Sequence, residues 1–171
     1  MFAPVKDRIV TDPARRCLAR RAPQALESVT RIQRSALVAR PAARMYALVA
    51  DVERYPQRFR WCTGARVEPQ ADATVIARLD LRFAGLAASF ATRNRNQPDS
   101  RIDLALVEGP FRSLGGAWTF VALGDAGCRI GLELDFEFAG RFVGTALASG
   151  FQGLADRMVD EFVRVAQEDP G

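Results

Sequence analysis

Residues 128–138, CRIGLELDFEF, run after a short break into residues 142–167, FVGTALASGFQGLADRMVDEFVRVAQ, and these two segments carry the architecture of the chain. In the first, Cys128, Ile130, Leu132, Leu134, Phe136 and Phe138 alternate with Arg129, Glu133, Asp135 and Glu137. A period of two is that of a strand with one dry and one wet face. In the second, Val143, Leu147, Phe151, Leu154, Met158, Phe162 and Val165 recur at three- and four-residue spacing, which lines them along one face of a helix. At the usual rise per residue that helix would be roughly 40 Å long, enough to cross a small sheet. The pair predicts a curved sheet closed by a helix. Gly144, Gly150 and Gly153 interrupt the helix, each at about 0.5–1 kcal/mol relative to alanine, and either admit close approach to the sheet or leave room beside it.

Upstream, the same two periods divide the chain. Residues 28–40 suit a strand that ends at Pro41, and Pro41 suits the first position of a helix carrying Met45, Leu48, Val49 and Val52 on one face. Pro56 then stops that helix or forces a new turn. Val75, Ala77, Leu79, Leu81 and Phe83 alternate with Thr74, Arg78, Asp80 and Arg82, so 74–83 reads as a half-buried strand, with 86–96 its partner across Gly85. Ile102, Leu104 and Leu106 mark another strand, and Trp118 and Phe120 the next; turn chemistry falls at 97–99, at 109–110 and at 124–127. Consecutive strands without crossover helices predict an antiparallel sheet of six or seven strands with segregated helices, an α+β fold.

The chain of 171 residues is expected to hold one domain from about residue 28 to 171, preceded by a leader. Residues 1–27 hold six of the 24 basic side chains and three of the 20 acidic ones, which leaves the remainder at 18 against 17. The basic excess therefore sits mainly in the leader, read as a disordered basic tail or an upstream-start artefact ahead of an organelle presequence, because prolines and acidic residues break any amphipathic pattern there. No apolar run approaches the roughly 20 residues of a membrane span, so a cytoplasmic protein is expected. Cys17, Cys62 and Cys128 lack metal-type spacing and read as reduced thiols, with no metal site. Histidine is absent, which removes the commonest general base and the partner of serine and cysteine nucleophiles. An enzyme is disfavoured, and no catalytic residue is assigned.

Four segments then carry a likeness: DVERYPQRFRWCTG at 51–64, FATRN at 90–94, EGPFRSLGGAWTF at 108–120, and CRIGLELDFEF at 128–138. In that order they resemble the coenzyme Q-binding, START-like family of the polyketide cyclase superfamily, and within it the bacterial RatA-type branch. The likeness spans about residues 30–167. It implies a helix-grip fold, a curved antiparallel sheet wrapped around a long C-terminal helix with a hydrophobic cavity between them. It also implies two functions. Mitochondrial relatives are associated with binding ubiquinone and supporting respiratory electron transport, whereas RatA-type members are assigned as toxins that act on the large ribosomal subunit and block subunit association. The leading expectation is a non-enzymatic carrier of a polyisoprenoid, ubiquinone or a related prenyl lipid, with no covalently bound cofactor and transient contact with a membrane surface. The ribosome-directed toxin is the alternative, and the resemblance implies a bacterial cytoplasmic protein, peripheral at most to the inner membrane.

Candidate ligand contacts follow from the inward faces. Tyr46 lies on the first helix, and Tyr55, Phe59 and Trp61 lie beside Pro56 in the loop-like segment after it, where aromatics anchor a loop on the core and would equally form a cavity lid presenting aromatic surface to a membrane. From the strands come Leu79, Leu81, Phe90, Leu104, Trp118, Phe120, Phe136 and Phe138, and from the helix Leu147, Phe151 and Leu154. An apolar stripe ordinarily means packing, but a bent sheet over one helix encloses a site of roughly 300–1,000 Å³ if side chains do not fill it. Donors for quinone oxygens are Tyr46, Tyr55, Thr92, Arg93 and Asn94. Phe111, between permissive residues, reads as turn packing or a second cavity mouth. For a ribosomal role, Arg78 and Arg82 share the outer face of one strand with Arg93 and Arg95 on the next; Asp80 interrupts that patch, which also reads as an ordinary solvated face.

Overall fold

A computed structural model describes residues 29–83, 85–140 and 145–168. The leader, Val143 and Gly144 lie outside the described residues. Seven strands, β1 (Thr30–Val38), β2 (Cys62–Pro69), β3 (Thr74–Phe83), β4 (Leu86–Gln97), β5 (Arg101–Glu108), β6 (Phe111–Leu123) and β7 (Gly127–Phe138), form one sheet in the order β1-β7-β6-β5-β4-β3-β2. Every neighbouring pair is antiparallel. The helices are α1 (Ala42–Ala50), α2 (Tyr55–Arg58) and the long α3 (Thr145–Glu168). The sheet is a meander from β2 to β7, and β1 returns to flank β7 at the far edge.

Curvature has a local cause. Register shifts interrupt the ladders at Cys62/Gly64, Ala91/Thr92 and Phe111/Ser113, and an extra residue on one strand bends it and increases its twist. The concave face receives α3. In β7, Cys128, Ile130, Leu132, Leu134 and Phe136 are buried while Arg129 and Glu133 are exposed, as the alternation demands. In α3, Phe151, Leu154, Phe162 and Val165 are buried and Leu147 and Met158 half-buried.

The two described helix glycines serve different ends. A methyl on Gly150 would stand 2.6 Å from the ring of Phe83 on β3, so its absence lets helix and sheet close on one another. At Gly153 nothing lies within 4 Å. Polar ties fix the helix at its margins: Arg34 pairs with Asp156 at 2.8 Å, and Arg40 Nε donates to the Ala166 carbonyl at 3.0 Å, placing a cation where the last turn is negative.

Three local readings need correction. Pro41 is the N-cap of α1 and not its first helical residue; its φ of −57° suits either place. The 51–61 segment is no loop: a 3₁₀ turn, Val52–Arg54, leads into α2, whose first turn accepts Pro56 because no intrahelical bond is required of its nitrogen. Phe111 opens β6 and is buried, so it is neither a turn residue nor a mouth. Strand β2 escapes the periodicity argument because it is an edge strand with weak alternation, and its terminal Pro69 is tolerated there.

Candidate functional site

Two groups of rings fill much of the space between sheet and helix. Phe90, Phe111, Phe136, Phe138 and Phe151 form one, with Phe111 and Phe151 centroids 4.9 Å apart. Tyr55, Phe59, Trp61, Trp118 and Phe162 form the other; Phe59 stacks on Trp61 at 4.9 Å and tilts against Phe162 at 4.6 Å. Edge-on and offset contacts of this kind match the positive rim of one ring to the negative face of the next. A cavity of about 70 Å³ remains, touching rings of both groups. That is well short of the roughly 300–1,000 Å³ of sites that enclose a drug-sized ligand, so the expected large hollow is corrected: side chains occupy most of it.

The cavity wall includes seven of the fifteen apolar and aromatic contacts singled out from sequence: Tyr55, Trp61, Leu79, Phe90, Leu104, Trp118 and Phe151. The other eight lie elsewhere. Tyr46 is half-buried with its ring edge-on to Phe120 at 5.7 Å. Phe59, Leu81, Phe120, Phe136 and Leu154 are core. Phe138 packs on Phe111 at 4.7 Å, and Leu147 is half-buried in the first turns of α3. The wall also takes Val49, Val52, Ile102, Leu132 and Met158, whose apolar periodicity was visible but whose place around one void depends on how far each element curls, and Leu114, which no periodic pattern had marked.

Its polar content is small and specific. Thr92 and Asn94 are buried on β4 and both face the cavity, and the Thr92 hydroxyl donates to Asn94 Oδ1 at 2.7 Å. The Asn94 amide nitrogen has no acceptor among the described residues, and neither has the buried Trp61 Nε1. Tyr55 is committed elsewhere: its hydroxyl donates to the Val49 carbonyl, and burial drives its phenol above the ordinary range. Arg93 points out from the opposite face of β4. The quinone-donor candidates therefore reduce to the Thr92–Asn94 pair, joined by Trp61, which sequence reasoning did not consider as a donor. A bulge at Ala91/Thr92 sits beside that pair and helps aim it.

No carboxylate or cation lines the cavity. Burial pushes the Cys62 thiol up to about 11, and Cys128 likewise upward, so both sulfurs are held as thiols. Among the described residues no three His, Cys, Asp or Glu side chains stand together as metal ligands, and no helix is long and apolar enough to cross a membrane. The membrane-facing lid is corrected too: Tyr55, Phe59 and Trp61 are at most 8% exposed and offer no aromatic surface.

Outside, α2 and the C-terminal part of α3 flank an open cleft of about 520 Å³ with Arg58, Arg60 and Arg164 on its walls. Its charge is largely answered: Arg58 lies 3.0 Å from Asp51, and Arg164 is held by Glu161 and Glu168 at 2.9 and 2.7 Å. On the outer sheet face, Arg78, Arg82, Arg93 and Arg95 share one side, and Arg78 is paired with Glu108 at 2.8 Å.

A bent antiparallel sheet gripping one long helix over a small, mainly apolar cavity defines a START-like, helix-grip fold. The chain belongs to the polyketide cyclase / dehydrase and lipid transport family, whose model matches residues 38–163. It is 39% identical over 137 residues to the ribosome association toxin RatA of Vibrio cholerae, covering 80% of this chain and 95% of that one. It is 40% identical over 139 residues to the protein of the same name from Pseudomonas aeruginosa, covering 81% and 96%. These relatives set it in the RatA-type branch. Among solved structures, the Zhui aromatase/cyclase of a Streptomyces species superposes with a TM-score of 0.71 at 17% identity, covering 82% of this chain and 95% of that one, a likeness of fold.

Proposed function

We propose that this chain is a non-enzymatic, RatA-type protein that associates with the ribosome and interferes with the joining of its subunits. The observation that carries the reading is the near-complete coverage of relatives named for ribosome association at about 40% identity. The non-enzymatic part rests on the same relatives, which are named for ribosome association and not for a reaction. Sucrose-gradient profiles after expression in a bacterial host test it. Free subunits are expected to accumulate at the expense of 70S particles; an unchanged profile at high expression rejects the reading.

A second reading, binding of ubiquinone or a related prenyl lipid, is favoured by one observation. The Thr92–Asn94 pair stands buried in apolar walls with an amide N–H to spare, which suits the carbonyl of a quinone head group. The cavity would have to widen around the tail by displacing rings. Organic extraction and mass spectrometry of protein purified from its native host test this reading, and the absence of any prenyl lipid at useful stoichiometry counts against it.

A further inference from the structure

We infer that the outer face of strands β3 to β5 is the surface that grips ribosomal RNA, through a ladder of arginines matched to the phosphates of one strand; the inference rests on the ribosomal reading above. Directly opposed residues of an antiparallel pair share a face, so the register fixes the layout. Arg82 lies opposite Ala87, Arg78 opposite Ala91, Ile76 opposite Arg93, and Thr74 opposite Arg95. One strand further, Gln97 lies opposite Arg101. Arg82, Arg78, Arg93, Arg95 and Arg101 therefore follow one another down the sheet, crossing from β3 to β4 to β5. With a rise of about 3.3 Å per residue and strands about 4.8 Å apart, the last three steps are each about 7–8 Å between Cα atoms, and flexible guanidinium heads reach successive phosphates from such spacing.

Charge favours the same face. Across β2 to β5 it carries six arginines against four carboxylates. Glu68, Glu108 and Asp103 pair with Arg66, Arg78 and Arg101, and Asp80 accepts from Ser89 at 2.6 Å. Among the described residues, Arg82, Arg93 and Arg95 make no ion pair and no side-chain hydrogen bond, and all three are exposed. Arg66 directly opposes Arg78, a like-charge cross-strand pair that weakens a sheet and that packing does not require. The cleft beside α2 offers less, because carboxylates already neutralise most of its arginines. A polyanion with regular charge spacing is the occupant this face complements.

The test uses the full chain and purified ribosomal subunits, with affinity read by co-sedimentation across a salt series. The variants are Arg82→Gln/Arg93→Gln/Arg95→Gln and a charge-matched control, Arg60→Gln/Arg129→Gln/Arg157→Gln, each checked for native circular dichroism. The first is expected to bind at least tenfold more weakly at moderate salt and to lower the slope of log affinity against log salt by about 2–3, while the control stays within about threefold of wild type. Wild-type binding left unchanged by the first triple, or weakened equally by both, overturns this placement while leaving the ribosomal reading intact. No binding of wild type at low salt removes the ribosomal reading itself.

Discussion

The hydroxyl of Thr92 donates to the side-chain carbonyl of Asn94 at 2.7 Å, and both residues are less than 8% exposed inside a cavity whose other walls are mostly carbon. A pair of this kind has an asymmetric energy. Removing one partner leaves the other buried and unsatisfied, whereas replacing both with apolar groups of similar shape is nearly neutral or stabilising. Thr92→Val alone is expected to lower stability by about 1–3 kcal/mol, and Thr92→Val/Asn94→Leu to recover most of that loss. Urea denaturation of the two single variants and the double closes the cycle; simple additivity of two losses would show that the residues are uncoupled. If a quinone carbonyl is held there, the double variant also loses extractable prenyl lipid while keeping its fold.

Gly150 and Gly153 lie three residues apart on one helix and should respond differently to alanine. At Gly153 the added methyl meets nothing within 4 Å, so the gain is the helix-propensity difference, about 0.5–1 kcal/mol. At Gly150 the methyl lands 2.6 Å from the half-buried ring of Phe83, and displacing that ring costs about 1–3 kcal/mol against the same propensity gain. Thermal unfolding is expected to show Gly153→Ala raised and Gly150→Ala unchanged or lowered. Adding Phe83→Leu should relieve part of the Gly150→Ala defect, since it removes the atoms in collision.

The same two glycines show what the sequence could reveal. That something special happens in the helix was readable from three glycines in a helical period; which glycine touches the sheet required the register of β3 against α3. Strands with strict alternation, 74–83 and 128–138, were legible almost to the residue because one-sided burial writes itself as period two. Strand β2, half-exposed at an edge, carries no such signature. The cavity was legible as a set of inward residues but not as a volume: filling depends on ring tilt, and the rings of Phe111, Phe136 and Phe162 close space that a list of inward positions leaves open. Trp61 was read as a ring, and its orphaned indole nitrogen emerges only when its neighbours are in place.

Cys62 ties stability to alkaline pH. Its sulfur donates to the Gly64 carbonyl at 3.3 Å, its side chain is buried, and burial raises the thiol from 9.0 to about 11. Between those values the unfolded chain has released the proton that the folded chain retains, so the unfolded state binds fewer protons and stability falls as pH rises. The contribution is complete below pH 9.0 and is lost as pH passes through about 11. Burial of Cys128 and Tyr55 acts in the same direction. Urea midpoints at pH 8, 9.5 and 10.5 should fall, and fall less steeply in Cys62→Ala. Equal slopes in the two proteins would mean that this thiol does not report burial.

Phe162 is fully buried and packs its ring against Tyr55, Phe59 and Trp118, two of which also wall the cavity. Cutting it to alanine removes a whole ring from between helix and sheet, and neighbouring rings relax only partly into the gap. The expected loss of stability is about 3–5 kcal/mol. The vacated space adjoins the existing 70 Å³ cavity through Tyr55 and Trp118, so the variant should hold an enlarged, apolar void. Such voids stay dry and take up small apolar molecules. Naphthalene is therefore expected to raise the unfolding temperature of Phe162→Ala and to leave wild type unmoved. A variant destabilised as expected but indifferent to naphthalene would mean that the helix collapses onto the sheet when the ring is gone, in which case ring packing, and not strand curvature, is what keeps the two apart.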